Sequence, residues 1–164
     1  MRLWMKQKVF SWGDHFTVKD DAGNDRYTVQ GEVFSWGKKL HVLDAFGNEV
    51  AFIQQKVFSF LPRFFVFRNG VQSAEIVKEF TFFKPVYSIE GPGWETEGDF
   101  FGHDYVIRDG SSEIVSISKE WFTWGDSYRL DVSERADEVL ALSVVLAIDC
   151  VMAMQRNSSA SMNH

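Results

Sequence analysis

"ADEVLALSVVLAIDCVMAMQ", residues 136–155, is the stretch on which the fold turns. It contains no turn-forming residue, and its apolar side chains run nearly all round a helix instead of along one stripe. A helix of that kind belongs inside a protein or inside a bilayer. Asp137 and Glu138 stand where a helix N-terminus welcomes negative charge. From Val139 to Met154 is 16 residues, interrupted by Ser143 and Asp149. A bilayer span wants about 20 apolar residues, and a lone Asp at its centre costs at least ~2.5 kcal/mol. A protein core is the lower-energy home, provided the rest of the chain can wall it in.

The rest of the chain is built from a repeated phrase. "KVFSWGDHFTV" (8–18) returns as "EVFSWGKKLHV" (32–42) and "KVFSFLPRFFV" (56–66). Anchored on Phe10, Phe34, Phe58, Phe80, Phe100 and Phe122, the spacings are 24, 24, 22, 20 and 22 residues. Each unit continues with alternating inward candidates: Phe16 and Val18, Leu40 and Val42, Phe64 and Val66, Tyr87 and Ile89, Tyr105 and Ile107, Tyr128 and Leu130. Period-two alternation is the strand signature. Turn clusters follow on schedule, as in "DDAGN" (20–24), "DAFGN" (44–48) and "RNG" (68–70). Units of two strands are too short for propeller blades, which need about 40–45 residues. The pattern therefore predicts a mainly β fold: about twelve antiparallel strands in six hairpins, closed into a barrel that has no edge. A return strand for the sixth unit is not visible. A barrel that wide needs an apolar filling, and the helix over about 136–154 is the one candidate. The reading is a single domain over 1–154 with a disordered tail at 155–164.

Composition narrows the function classes. Over 164 residues the net charge is −6, which speaks against nucleic acid as a partner. Cys150 is the single cysteine, so no internal disulfide is possible and a reducing cytoplasm is expected. "MRLWMKQKVF" has no apolar core of the signal-peptide kind. A monomer is expected.

Several phrases in order and at fitting spacing resemble the LURP-one-related family. They are "FTVKDDAGNDRYTV", "LHVLDAFGNEVAFI", the strand-ending Lys78 of "AEIVK" and Lys119 of "VSISK", "EGDFFGHDYVI", and the closing "LALSVVLAID". The resemblance implies a Tubby C-terminal-like barrel around a central hydrophobic helix. It also implies a distant relationship to Tubby proteins, which bind phosphoinositide headgroups, and to phospholipid scramblases. No catalytic residue comes with it.

The search for chemistry is mostly negative. His15, His41 and His103 are scattered without metal-ligand spacing and read as exposed histidines, so no metal and no cofactor are expected. Cys150 lies in the apolar helix as packing, and no nucleophile elbow occurs. "GPGWETEGDFFG" (91–102) lacks the Lys and the following helix of a phosphate loop, and reads as a hairpin. No enzyme is expected. Asp149 in a dry helix requires a partner; Lys78 or Lys119 reaching inward could supply it as a structural pair, or backbone amides could satisfy it.

Up-down hairpins would gather Trp12, Trp36, Phe60, Phe82, Phe83, Phe101 and Trp124 on one rim. The simplest use of these rings is to close that end over the helix. Lys38, Lys39, Arg63 and Lys84 fall on the same rim from adjacent units, while Asp14, Asp104 and Asp126 come from the others. Such a basic sector is either solvated or an anion site for phospholipid headgroups, phosphoinositide-like ligands or another phosphate. The expectation is a non-enzymatic cytoplasmic domain, in peripheral contact with the inner membrane surface. A scramblase-like protein that inserts its helix and an interaction or stress-response scaffold are the alternatives.

Overall fold

The alternation along each repeat becomes hydrogen-bonded pairing in the structure, a computed structural model that describes residues 1–6, 15–122 and 125–163. The strands are β1 (Arg2–Lys6), β2 (His15–Asp20), β3 (Asp25–Gly31), β4 (Lys39–Asp44), β5 (Glu49–Gln55) and β6 (Arg63–Arg68). They continue as β7 (Val71–Lys78), β8 (Tyr87–Glu90), β9 (Trp94–Asp99), β10 (Asp104–Asp109), β11 (Ser112–Phe122) and β12 (Gly125–Val132). Each pairs antiparallel with its sequence neighbours, and β1 pairs with β12 to close the barrel. The closing register runs from Arg2↔Asp131 to Lys6↔Ser127. The sixth return strand is therefore the N-terminus: β12 finds its partner in "RLWMK", whose Leu3 and Met5 point inward.

The predicted inward residues Val18, Leu40, Val42, Phe64, Val66, Tyr87, Ile89, Tyr105, Ile107, Tyr128 and Leu130 are buried, while Phe16 is half-buried against the core. The two similar turns share one device. The Asp20 carboxylate accepts the N–H groups of Ala22 and Asn24, and Asp44 those of Phe46 and Asn48, each at 2.9 Å. Those N–H bonds favour the ionised form, and both carboxyls titrate below their usual range.

Helix α1 (Glu138–Met162) fills the barrel. Every residue from Ala141 to Ala153 is buried, which is why no polar face could be spared in the sequence. Asp137 caps the helix by accepting the Leu140 N–H at 3.0 Å. Glu138 takes the Arg26 guanidinium and, at 2.7 Å, the Tyr27 hydroxyl, while Arg68 pairs with Asp137. The helix start is thus pinned to the rim that carries the Asp-rich turns. By length and composition α1 is also long and apolar enough to cross a membrane, but its apolar stretch is enclosed by strands.

One boundary needs correction. The chain expected as a disordered tail from residue 155 is helical to Met162 and stands out of the barrel's far end. Nothing between 155 and 162 is Gly or Pro, and the hydroxyls of Ser158 and Ser159 bond back to the Gln155 carbonyl at 2.9 and 3.0 Å. A helix already nucleated inside the barrel propagates until a breaker stops it.

Candidate functional site

The loops of the repeated phrase, 32–38, 56–62, 79–86 and 100–103, all lie at the end where α1 leaves. The described rings there do not close the barrel. Phe34, Trp36, Phe58, Phe60, Phe80, Phe82, Phe83 and Phe101 are all exposed, with Phe34 and Phe83 at 99% and 98%. That corrects the expectation of a sealing plug. The plug is not needed, because Met152, Ala153 and the half-buried Met154 of α1 already fill the opening. Phe80 and Phe82 meet edge-to-face at 5.4 Å, so the rings pack on each other in solvent. Phe100 is the exception among the described anchors. It turns inward between Tyr87 and Tyr105, with centroids 4.8 and 4.7 Å away. Phe10, Trp12, Asp14 and Trp124 lie outside the described residues, as do the side chains of Phe122 and Asp126.

Among the described residues, two clefts flank the emerging helix. The larger, of about 790 Å³, lies between the 56–62 loop and the helix residues Cys150, Ala153, Met154 and Asn157. The smaller, of about 420 Å³, lies between the 79–86 loop and Gln155, Arg156 and Ser159. At 100° per residue these two sets occupy opposite faces of α1.

The four basic residues expected to act together are separated. Lys38 is buried and lines the larger cleft; Lys84 is exposed and lines the smaller one. Lys39 pairs with Glu32 at 3.8 Å, and Arg63 with Glu75 at 2.8 Å, both on the outer wall. Strand alternation accounts for this, since Lys39 precedes the inward Leu40 and Arg63 the inward Phe64. The cation that sequence reasoning missed is Arg156, which sat in a segment read as tail. The unbroken run without Gly or Pro to residue 163 was the signal that could have found it.

Inside the same end sits a polar group of side chains. Asp149 is buried, as its place in an apolar helix required, but neither expected lysine meets it. Among the described residues it stands beside His103, with Nε2 3.8 Å from Oδ1. Lys78 instead lines the smaller cleft, and Lys119 acts on His103 from a distance. His103, expected to be exposed, is 4% accessible and stacks on Tyr128 at 4.2 Å. It adopts a positive φ of 54° in the tight β9–β10 turn, which aims the ring inward. Asp149 Oδ1 and the hydroxyls of Tyr87 and Tyr105 lack hydrogen-bond partners. Burial drives the Asp149 carboxyl up to about 7, with Arg156 pulling the other way. Burial, followed by the charges of Arg156 and Lys119, pushes His103 down to about 4. Both shifts favour uncharged forms in a dry interior.

His41, half-buried on the outer wall, lies between Glu32 and Glu49. Burial alone would lower its pKa, but the hydrogen bonds to the two carboxylates carry it up. No group of three His, Cys, Asp or Glu side chains suited to a metal occurs among the described residues.

The LURP-one-related family model matches residues 1–149, from the closing strand through Asp149 on the core helix. The chain belongs to this family. It is 34% identical over 159 residues to the uncharacterised protein YxjI of Bacillus subtilis (strain 168), covering 97% of this chain and 98% of that one. An X-ray structure of a protein from Arabidopsis thaliana superposes with a TM-score of 0.66 at 17% identity, over 92% of this chain and 90% of that chain. That likeness carries the fold: a LURP-one-related, Tubby-like barrel with an apolar helix through its middle. The family match ends at residue 149, so Gln155, Arg156 and Ser159, which form one wall of the smaller cleft, lie beyond it.

Proposed function

We propose that this LURP-one-related barrel is a non-catalytic, monomeric domain that docks onto the inner surface of a membrane by its aromatic rim, with anionic phospholipid as its preferred lipid. The observation that carries the reading is the set of eight exposed rings gathered at one end. Soluble monomers rarely leave apolar patches of that kind facing water without an interaction to make. Aromatic rings favour the boundary between water and hydrocarbon, where the apolar face is buried and the edge stays near polar groups.

The magnitude suits a reversible attachment. Four rings inserted at ~1.5 kcal/mol each give roughly 6 kcal/mol, between millimolar and micromolar affinity. The exposed Lys56 and Lys84 on the same loops would add about 1 kcal/mol each near an anionic surface. The acids of the turns stand at the opposite rim, so the net charge of −6 does not oppose this orientation. Docking by the rim leaves α1 in place, whereas inserting α1 would empty the barrel of its core.

Co-sedimentation tests the reading. Wild type should pellet with vesicles of phosphatidylcholine and phosphatidylglycerol. A Phe34→Ser, Phe58→Ser, Phe60→Ser, Phe82→Ser variant, altered only at exposed positions, should remain in the supernatant. Equal pelleting of the two proteins would refute it.

A further inference from the structure

The smaller cleft differs from the rest of the surface in its charges. Lys78 at the end of β7, Lys84 in the following loop and Arg156 on the protruding helix all line it, and no carboxylate does. None of these three forms an ion pair among the described residues, whereas Lys19, Lys39, Arg26, Arg63, Arg68 and Arg129 all do. Three cations directed into one concavity repel each other until an anion enters. The loop that carries Lys84 is held in shape, because the Thr81 hydroxyl donates to the Lys84 carbonyl.

A second feature is independent of charge. The side-chain oxygen of Gln155, which lines the same cleft, is shut away from water and has no partner. A buried amide acceptor without a donor is a deficit that a ligand hydroxyl could make good once the Gln155 side chain turns toward the cleft it lines. The exposed rings of Phe82 and Phe83 also line the cleft. The cleft thus offers cations for a phosphate, an acceptor for a hydroxyl and apolar walls for a hydrocarbon chain.

We infer that the Lys78–Lys84–Arg156 cleft binds a phosphate ester bearing a neighbouring hydroxyl, the chemistry shared by a phosphatidylglycerol headgroup and by soluble glycerol phosphate. This rests on the membrane-docking reading for its lipid form and gives that reading its headgroup site. The rings supply attachment to any bilayer, and the cleft supplies the preference for anionic lipid. Each basic residue near an anionic surface contributes about fivefold in affinity, so three together amount to a preference on the order of a hundredfold.

The test uses the full chain and three proteins: wild type, Lys78→Gln/Lys84→Gln/Arg156→Gln, and the control Arg2→Gln/Lys19→Gln/Arg135→Gln, which removes equal charge elsewhere. Each is titrated with vesicles of pure phosphatidylcholine and of phosphatidylcholine containing phosphatidylglycerol, and by amide NMR with glycerol 3-phosphate. The cleft variant should keep the wild-type affinity for phosphatidylcholine and lose its anionic preference except for the about fivefold that Lys56 supplies, while the control keeps its full preference. If no protein binds either vesicle, the docking reading fails. Saturable shifts at residues 78, 84 and 156 with glycerol 3-phosphate, lost in the cleft variant, would then assign the cleft to a soluble phosphate ester. The inference is overturned if the cleft variant keeps the full anionic preference, if both triple variants lose it equally, or if neither lipid nor glycerol 3-phosphate acts at these residues. Lys84→Gln alone, at an exposed loop position, should already lower the preference about fivefold and guards against misfolding of the triple variant.

Discussion

Asp149→Asn separates the electrostatics of the barrel interior from its packing. The Asp149 carboxyl lies at about 7 in the folded protein against an ordinary value of 3.8, with burial as the cause. Its folded pKa is raised, so the folded state holds a proton that the unfolded chain has already released. Stability must therefore fall as pH rises between about 4 and 7, by ~1.4 kcal/mol per unit, and then level off. Three such units amount to about 4 kcal/mol. His103 works in the opposite direction: lowered from 6.5 to about 4, it withholds a proton that the unfolded chain takes up, so acid destabilises the fold. Between about pH 4 and 6.5 the two slopes oppose each other, and wild type alone would appear nearly indifferent to pH. The difference between Asp149→Asn and wild type isolates the carboxyl. Urea unfolding should show the variant gaining on wild type by about 4 kcal/mol from pH 4 to pH 8, with no further change above that. A difference that stays constant across the range would refute the claim that a carboxyl is trapped in the dry core.

Three further outcomes follow from single contacts. Gly98 has φ 133°, and a Cβ there would lie 2.6 Å from the Asp104 carbonyl oxygen and 2.7 Å from Tyr105 Cα. Gly98→Ala should cost roughly 2 kcal/mol or more, seen as a lower melting temperature. The Cys150 thiol is held up to about 12 by burial, so although it borders the larger cleft, a thiol reagent at pH 8 should react with the folded protein far more slowly than with the protein in urea. Glu138→Ala removes the acceptor shared by Arg26 and the Tyr27 hydroxyl and should cost about 1–3 kcal/mol in urea unfolding.

The barrel was legible because every unit states it again: an alternation that puts Leu40 and Val42, or Tyr105 and Ile107, on one side predicts the inner wall directly. The closing pair was hidden, since β1 carries no copy of the phrase and its partner β12 lies near the other end of the chain, with Arg2 opposite Asp131. Alternation reports which face a strand residue takes, but loop residues have no such period. That is why the phrase could place Trp36, Phe60 and Phe82 on one rim and not say whether they turn in or out. The basic sector failed for a related reason: Lys38 and Lys39 are adjacent in sequence and therefore face opposite sides of the wall. Asp149 was recognised as needing a neighbour, but the neighbour is His103 from a turn whose positive φ no period could reveal. Arg156 was lost by stopping the helix where its apolar residues end, although helices stop at breakers and caps, not at the edge of a core.

Nitroxide labels at Phe82→Cys and at Phe46→Cys, on opposite ends of the barrel, measure the docking orientation most directly. Both positions are exposed, and both variants carry Cys150→Ala so that the label has a single target, since Cys150 borders the larger cleft. With phosphatidylcholine–phosphatidylglycerol vesicles, the label at 82 should become accessible to oxygen and shielded from a water-soluble nickel complex, while the label at 46 stays in water. Labels that report the same aqueous surroundings at both ends, or immersion at 46 alone, would contradict the account.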